Sequence, residues 1–287
     1  MNLTEKIVLG TAQFGMDYGI ANISGKPAKK EVFRILGMAW EKGVKRFDTA
    51  PLYGSEELLG EFITVNGLHD EVIVLTKIPS LVGLSDYDKF IRTSLESSLD
   101  KLGCSVEVLF FHDALDAVLL QKNPQFFEKL FQDYPISTLG VSVYEPQEVE
   151  RLSGSKFELA FQFPFNVLDR RFEQVTTPQG KRYARSVFLQ GLLASKNGLI
   201  QDAPDELYNL QKEYFEKLNK HHLDPVSFAV SFAAYNDVVD YLLIGVDSVQ
   251  QMQDILDIKP YEQKDMVILD TIQVITEEKW LDPRTWN

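Results

Sequence analysis

The chain of 287 residues has a single cysteine, Cys104, so it can form no internal disulfide and no cysteine-based zinc cluster. Its four histidines, His69, His112, His221 and His222, are too few and too scattered for a metal motif. Basic residues are outnumbered: 29 Lys and Arg stand against 42 Asp and Glu, a formal charge of −13. That balance argues against non-specific binding to nucleic acid or anionic membranes, which takes basic patches. A small anionic ligand is still allowed, because local charge at a site can oppose the net charge. Long apolar runs are also missing: no stretch approaches the roughly 20 residues of a membrane helix. The opening "MNLTEKIVLG" lacks the apolar core of a signal peptide. The expectation is a soluble, cytoplasmic protein.

What is present is ordinary for a globular chain, 45% hydrophobic and 25% charged. The length suits two modest domains or one large α/β barrel. Short β-rich apolar runs alternate with longer amphipathic ones. Strands are expected over 6–12, 45–50, 71–78, 106–113, 136–143, 157–165, 182–189 and 241–246. Helical patterns lie between them. One places Val32, Ile35, Leu36 and Ala39 on one face and ends at Gly43; others take Ser55 and Ser85 as N-caps, Gly103 as a stop and Pro146 in a first turn. "LDRRFEQVTTPQGK" reads as a weak helix or a loop, and 264–279 as a last helix. Eight strands in strict βα alternation imply a parallel sheet closed into a (β/α)₈ TIM barrel, one domain over 1–287. An open dinucleotide-binding sheet is disfavoured: no GxGxxG follows the first strand, and "LGTAQFG" has its glycines five apart.

Catalytic groups of such a barrel sit where the strands end. There the sequence offers Asp48, with Tyr53 just beyond it in "FDTAPLYGSEELLG", then Lys77, His112, Ser142, Gln162 and Arg185. Each has a structural reading. Asp48 suits a helix cap, Tyr53 a packing residue, His112 a hydrogen-bonded core histidine and Arg185 an ion pair. An acid, a phenol, an amine and an imidazole from three consecutive strands form a more specific set. A tyrosine becomes a better proton donor when an ammonium draws its pKa below the usual value of about 10. A carboxylate fixes the ammonium, and an imidazole can orient a carbonyl. Such a site lets hydride reach carbon while oxygen takes a proton.

With these residues the sequence resembles the aldo-keto reductase family. "GVKRFDTAPLYGSEELLG", "VLTKI" and "VLFFHD" look like its aspartate–tyrosine signature, its lysine strand and its histidine strand. The resemblance runs from "LGTAQFG" to "SVQQMQDIL" and implies a catalytic tetrad of Asp48, Tyr53, Lys77 and His112, with Tyr53 as general acid tuned by Lys77 and Asp48. It implies an NADPH cofactor, with NADH as the alternative, and a small carbonyl or sugar-like substrate. It also implies cofactor contacts from Gly10, Thr11, Ser142, Gln162, Arg185, Ser186, Gln190, Gly191, Gly245, Ser248 and Gln251.

The cofactor side departs from the family pattern. Val143 stands where the family has an asparagine, and Arg185 where an aromatic residue often stacks on the nicotinamide. Gly245 and Gln251 stand where many members carry a lysine and an arginine for the 2′-phosphate. These changes motivate a second reading, a barrel that binds a nucleotide or a partner but no longer reduces. A metal-dependent hydrolase is a third, with only Asp48 and His112 to support it. The lysine-bearing first loop, "FGMDYGIANISGKPAKK", is expected at the rim of the site. The tail "WLDPRTW" is expected near the substrate pocket or over a barrel helix.

Overall fold

Eight strands run parallel in sequence order and close on themselves, with β1 (Ile7–Gly10) paired to both β2 (Arg46–Asp48) and β8 (Tyr241–Gly245) in this computed structural model. Between them come β3 (Ile73–Ile78), β4 (Val106–Phe111), β5 (Ile136–Ser142), β6 (Leu159–Pro164) and β7 (Arg182–Arg185). The structure describes residues 2–17, 25–175, 180–194 and 204–281. The helices that wrap the barrel are α1 (Lys29–Glu41), α2 (Glu56–Asn66), α3 (Tyr87–Leu102), α4 (Pro124–Asp133), α5 (Pro146–Arg151), α6 (Asp205–Lys220), α7 (Pro225–Ala234) and α8 (Val249–Leu256). The expected (β/α)₈ barrel is what forms. Among the described residues no helix is long and apolar enough to cross a membrane.

The two-residue period of a strand sorts its side chains between two cores. Val8, Leu75, Val108, Phe110, Ala160 and Tyr183 fill the barrel interior. Their neighbours of opposite parity, such as Leu9, Val74, Leu109, Phe161 and Ala184, pack outward against the helices. The interior is filled tightly: a Cβ on Gly140 would come within 2.5 Å of the Phe110 ring, so glycine is needed opposite that phenylalanine.

Helix ends follow local chemistry, with some departures from the sequence reading. Gly103 ends α3 in the left-handed region, and Pro146 opens α5 beside a Glu145–Glu148 capping box. The cap of α3 is Asp86, which accepts from the Lys89 N–H, and not Ser85. Ser55 occupies the N-cap position of α2 but makes no capping bond. The seventh strand stops at Arg185, short of the expected 189, because Ser186 turns into the left-handed region. Residues 264–279 do not form a long α-helix; a 3₁₀ segment, Gln263–Thr271, and a short helix, Glu278–Leu281, take their place. The weak 166–180 region gives a 3₁₀ turn at Arg171–Gln174. Trp280 donates to Glu206 of α6, so the described start of the aromatic tail lies on a barrel helix. Residues 18–24 of the first loop, 195–203 of the connection after β7, and 282–287 of the tail lie outside the described residues.

Candidate active site

Continuing the inward parity of the barrel core by one step along each strand gives the top layer. Val8 leads to Gly10, Leu75 to Lys77, Phe110 to His112, Ala160 to Gln162 and Tyr183 to Arg185. The same parity on β2, β5 and β8 gives Asp48, Ser142 and Gly245. The interior packing of the barrel therefore aims these positions at one mouth.

At its centre, Lys77 Nζ donates to both carboxylate oxygens of Asp48, each at 2.8 Å, and to the Thr49 carbonyl at 2.9 Å. Gln162 Nε2 adds a bond to Asp48 Oδ1 at 2.9 Å. Asp48 and Lys77 are 3% and 2% exposed, so the pair is removed from water and its charges are balanced locally. Ser142, next to Gln162 across the β5–β6 ladder, is also buried.

Tyr53 reaches this pair from a 3₁₀ turn, Pro51–Tyr53, which Pro51 opens and Gly54 ends at φ 70°. The turn is fastened from below. The Asp48 carbonyl accepts from the Thr11 N–H and hydroxyl, both at 2.9 Å. The buried Ser55 hydroxyl lies 2.8 Å from that of Thr11 and 3.0 Å from that of Thr49. Ser55 thus links two strand ends, which explains why it does not cap α2. Thr11 is fully buried in the same hydroxyl chain. Gly15 packs against the turn so closely that a Cβ would lie 1.7 Å from the Tyr53 carbonyl oxygen.

Lys77 Nζ lies 4.9 Å from the centroid of the Tyr53 ring, and the His112 ring meets it edge-on at 6.1 Å and 88°. Asp48, Tyr53, Lys77 and His112 are brought together. The electrostatics differ from the sequence expectation of a lowered phenol pKa. Burial, then the Asp48 carboxylate, hold Tyr53 well above the ordinary phenol value, and Arg185 is the charge that opposes them. The phenol therefore keeps its proton in the free protein.

Arg185 stands at the end of β7. Its guanidinium lies 3.9 Å from the Tyr144 ring centroid and donates to the Val143 carbonyl at 3.1 Å. Among the described residues no carboxylate pairs with it; residues 195–203 of the connection after β7 lie outside them. Beyond Arg185 the chain takes an unusual path: Ser186, Leu189 and Gln190 have φ of 57°, 45° and 54°, and Gly191 has 96°. Three non-glycine residues in the left-handed region within one turn mark stored strain, of the kind kept at ligand sites.

The far edge of the mouth is finished by protein groups. The Gln13 amide covers Gly245, where a Cβ would come within 2.3 Å of it. Ser248 caps α8 by accepting from the Gln251 N–H at 3.2 Å, and Gln251 accepts from the Asp247 N–H at 2.9 Å. Glu31 of α1 takes the Val249 N–H at 3.1 Å. Burial raises the Asp247 carboxyl pKa, against the pull of its hydrogen bonds. Sequence reasoning missed Gln13, Gly15, Glu31 and Tyr144, whose roles depend on contacts across the mouth that no local pattern announces. Among the described residues no group of three or more His, Cys, Asp or Glu is placed to hold a metal ion.

The family model for the aldo/keto reductase family matches residues 6–274. The chain belongs to that family. It is accordingly an NAD(P)-dependent oxidoreductase of alcohol and carbonyl groups. Aldo-keto reductase YhdN of Bacillus subtilis (strain 168) is 24% identical over 248 residues, covering 83% of this chain and 71% of that protein. A D-threo-aldose 1-dehydrogenase from Pseudomonas sp. is 25% identical over 289 residues, covering 82% of this chain and 86% of that enzyme. The holo form of aldo-keto reductase AKR11C1 from Bacillus halodurans superposes with a TM-score of 0.77 at 18% identity, covering 96% of this chain and 95% of the other. That likeness concerns the fold.

Proposed function

We propose that this aldo/keto reductase reduces a small carbonyl or sugar-like substrate with Tyr53 as the general acid. The observation that carries the reading is the convergence of Tyr53, His112 and the buried Lys77–Asp48 pair at one mouth. Asp48 and the Thr49 carbonyl hold Lys77 beneath the Tyr53 ring, and Gln162 steadies Asp48. Tyr53, kept protonated by burial, gives its proton to the carbonyl oxygen. His112, edge-on to Tyr53, orients that oxygen. In the reverse direction Tyr53 recovers the proton from the alcohol.

The residues fit a nicotinamide dinucleotide. The turn from Ser186 to Gly191 holds Ser186, Leu189, Gln190 and Gly191 at positive φ, and Ser186 and Gln190 offer a hydroxyl and an amide for a pyrophosphate. Gln162 and Ser142 line the mouth next to Asp48, where an amide ring would be held. Once bound, the cofactor supplies the hydride. We take NADPH as the cofactor, and one observation favours NADH as the second reading. Gly245 and Gln251 bring no cation to α8, and Asp247 puts a carboxylate there; Glu31, which takes the Val249 N–H, is paired with Arg34. A 2′-phosphate gains no charge-assisted bond from such a group. We place the protein in the cytoplasm.

Fluorescence titration with NADPH and with NADH tests the reading. Quenching of tryptophan emission at micromolar concentrations of either supports it. Failure of both to bind favours the barrel that no longer reduces.

A further inference from the structure

Resting on the reductase reading above, we infer that Arg185 is a substrate-recognition residue, and that the substrate carries an anionic group, carboxylate or phosphate, beside its reacting carbonyl. The two arginines of β7 show why. Arg182, at the bottom of the strand, forms a bidentate pair with Asp240 at 3.1 and 3.0 Å. Arg171 is likewise saturated, by Asp169 at 2.9 and 3.0 Å and by Glu145 at 2.7 Å. Arg185, at the catalytic end, has one hydrogen bond, to the Val143 carbonyl, and no carboxylate partner among the described residues. Most of its N–H fork is left for another acceptor.

Its placement is nonetheless built. The Tyr144 ring packs under the guanidinium at 3.9 Å, and the Val143 carbonyl fixes its rotation. A planar fork held on an aromatic face is prepared for bidentate recognition of a carboxylate or phosphate. With one face covered by Tyr144, the edge that carries the donors is what the site can use. Lys77 is balanced by Asp48, so among the described residues of the strand-end layer the cation without a counter-charge is Arg185. Arg185 follows Tyr183 of the barrel interior by one inward step, so it opens onto the same mouth as Lys77 and His112, the residues that flank Tyr53. An anion held by Arg185 therefore lies in the mouth where Tyr53 meets the carbonyl.

The test compares wild type, Arg185→Gln and Arg185→Lys on matched substrates: glyceraldehyde 3-phosphate against glyceraldehyde, and succinic semialdehyde against butyraldehyde. The readout is the ratio of kcat/KM for the anionic over the neutral member. Inorganic phosphate and malonate are titrated calorimetrically into each protein in parallel. The expected result is a wild-type preference for at least one anionic member that falls about 30-fold in Arg185→Gln, the range of a lost charge-assisted hydrogen bond, and partly returns in Arg185→Lys. Phosphate or malonate binding is lost in Arg185→Gln. An unchanged ratio, or a loss of NADPH affinity with the ratio intact, overturns the inference and assigns Arg185 to the cofactor. If wild type turns over none of the four compounds while binding NADPH, the substrate class argued here is wrong. If it neither turns them over nor binds NADPH, the reductase reading fails, and the anion titration alone decides on Arg185.

Discussion

Lys77 Nζ sits 2.8 Å from each carboxylate oxygen of Asp48, and both residues are almost fully buried beneath the Tyr53 ring. The pair joins β2 to β3, and Gln162 ties it to β6. Two charges removed from water hold together because each compensates the other. Removing either alone leaves the second without a counter-charge. Asp48→Asn and Lys77→Met should each lower stability by about 3–5 kcal/mol. The double variant should lose clearly less than the sum. Urea unfolding of the three proteins measures the coupling, and strict additivity would show that the pair does not act as a unit.

Tyr53 has its pKa raised by burial and by Asp48. The sign follows directly. A raised acid pKa adds stability that is present below the unfolded value, about 10, and is lost as pH climbs towards the folded value. Reduction should therefore show no decline attributable to Tyr53 between about pH 7 and about pH 9.5. Alkaline unfolding above about pH 10 should be less steep in Tyr53→Phe than in wild type. A phenol titrating near neutrality, seen as a falling limb in the pH profile that Tyr53→Phe removes, would contradict this.

Gly15 positions Tyr53 by having no side chain. A Cβ there would meet the Tyr53 carbonyl at 1.7 Å, a backbone atom that cannot swing aside. Gly15→Ala should displace the Pro51–Tyr53 turn and lower kcat about 100-fold, as small misplacements of catalytic groups do. The fold, locked by the Thr11–Ser55–Thr49 hydroxyls, should survive with a loss of about 1–3 kcal/mol. Steady-state kinetics and thermal unfolding on the same sample separate the two effects.

The strain after β7 gives a further test. Gln190 and His222 both have left-handed backbones, with φ of 54° and 57°. His222 is exposed just past the end of α6, where glycine is the preferred residue. His222→Gly should stabilise the protein by about 1 kcal/mol and leave cofactor affinity alone. Gln190→Gly should relieve similar strain, yet weaken the cofactor severalfold if the amide contacts it. Equal cofactor affinity in both variants would remove Gln190 from the site.

The barrel and the identity of its top layer were legible in the sequence because both rest on strand periodicity. "VLTKI" and "VLFFH" already state which residues face inward, and Lys77 and His112 inherit that direction from Leu75 and Phe110. What stayed hidden depends on contacts between distant segments. Ser55 reads as a helix cap until Thr11 and Thr49 are seen to claim its hydroxyl. Arg185 reads equally as ion pair, stacking partner or anion ligand until Tyr144 and Val143 are placed around it. The apolar spacing of 264–279 suggests one helix, yet the chain there forms a 3₁₀ segment that ends at Thr271 and a separate short helix, Glu278–Leu281. The tyrosine electrostatics could not be read locally either. The dominant influence is burial, which the sequence around Tyr53 does not reveal.

The central claim is that Tyr53 supplies the proton in carbonyl reduction. Single-turnover reduction by Tyr53→Phe, with NADPH and NADH binding measured on the same protein, tests it most directly. The account predicts a loss of about 100- to 10,000-fold in rate, the range for a positioned general acid, with cofactor affinity essentially retained. Near-normal turnover in that variant would contradict it.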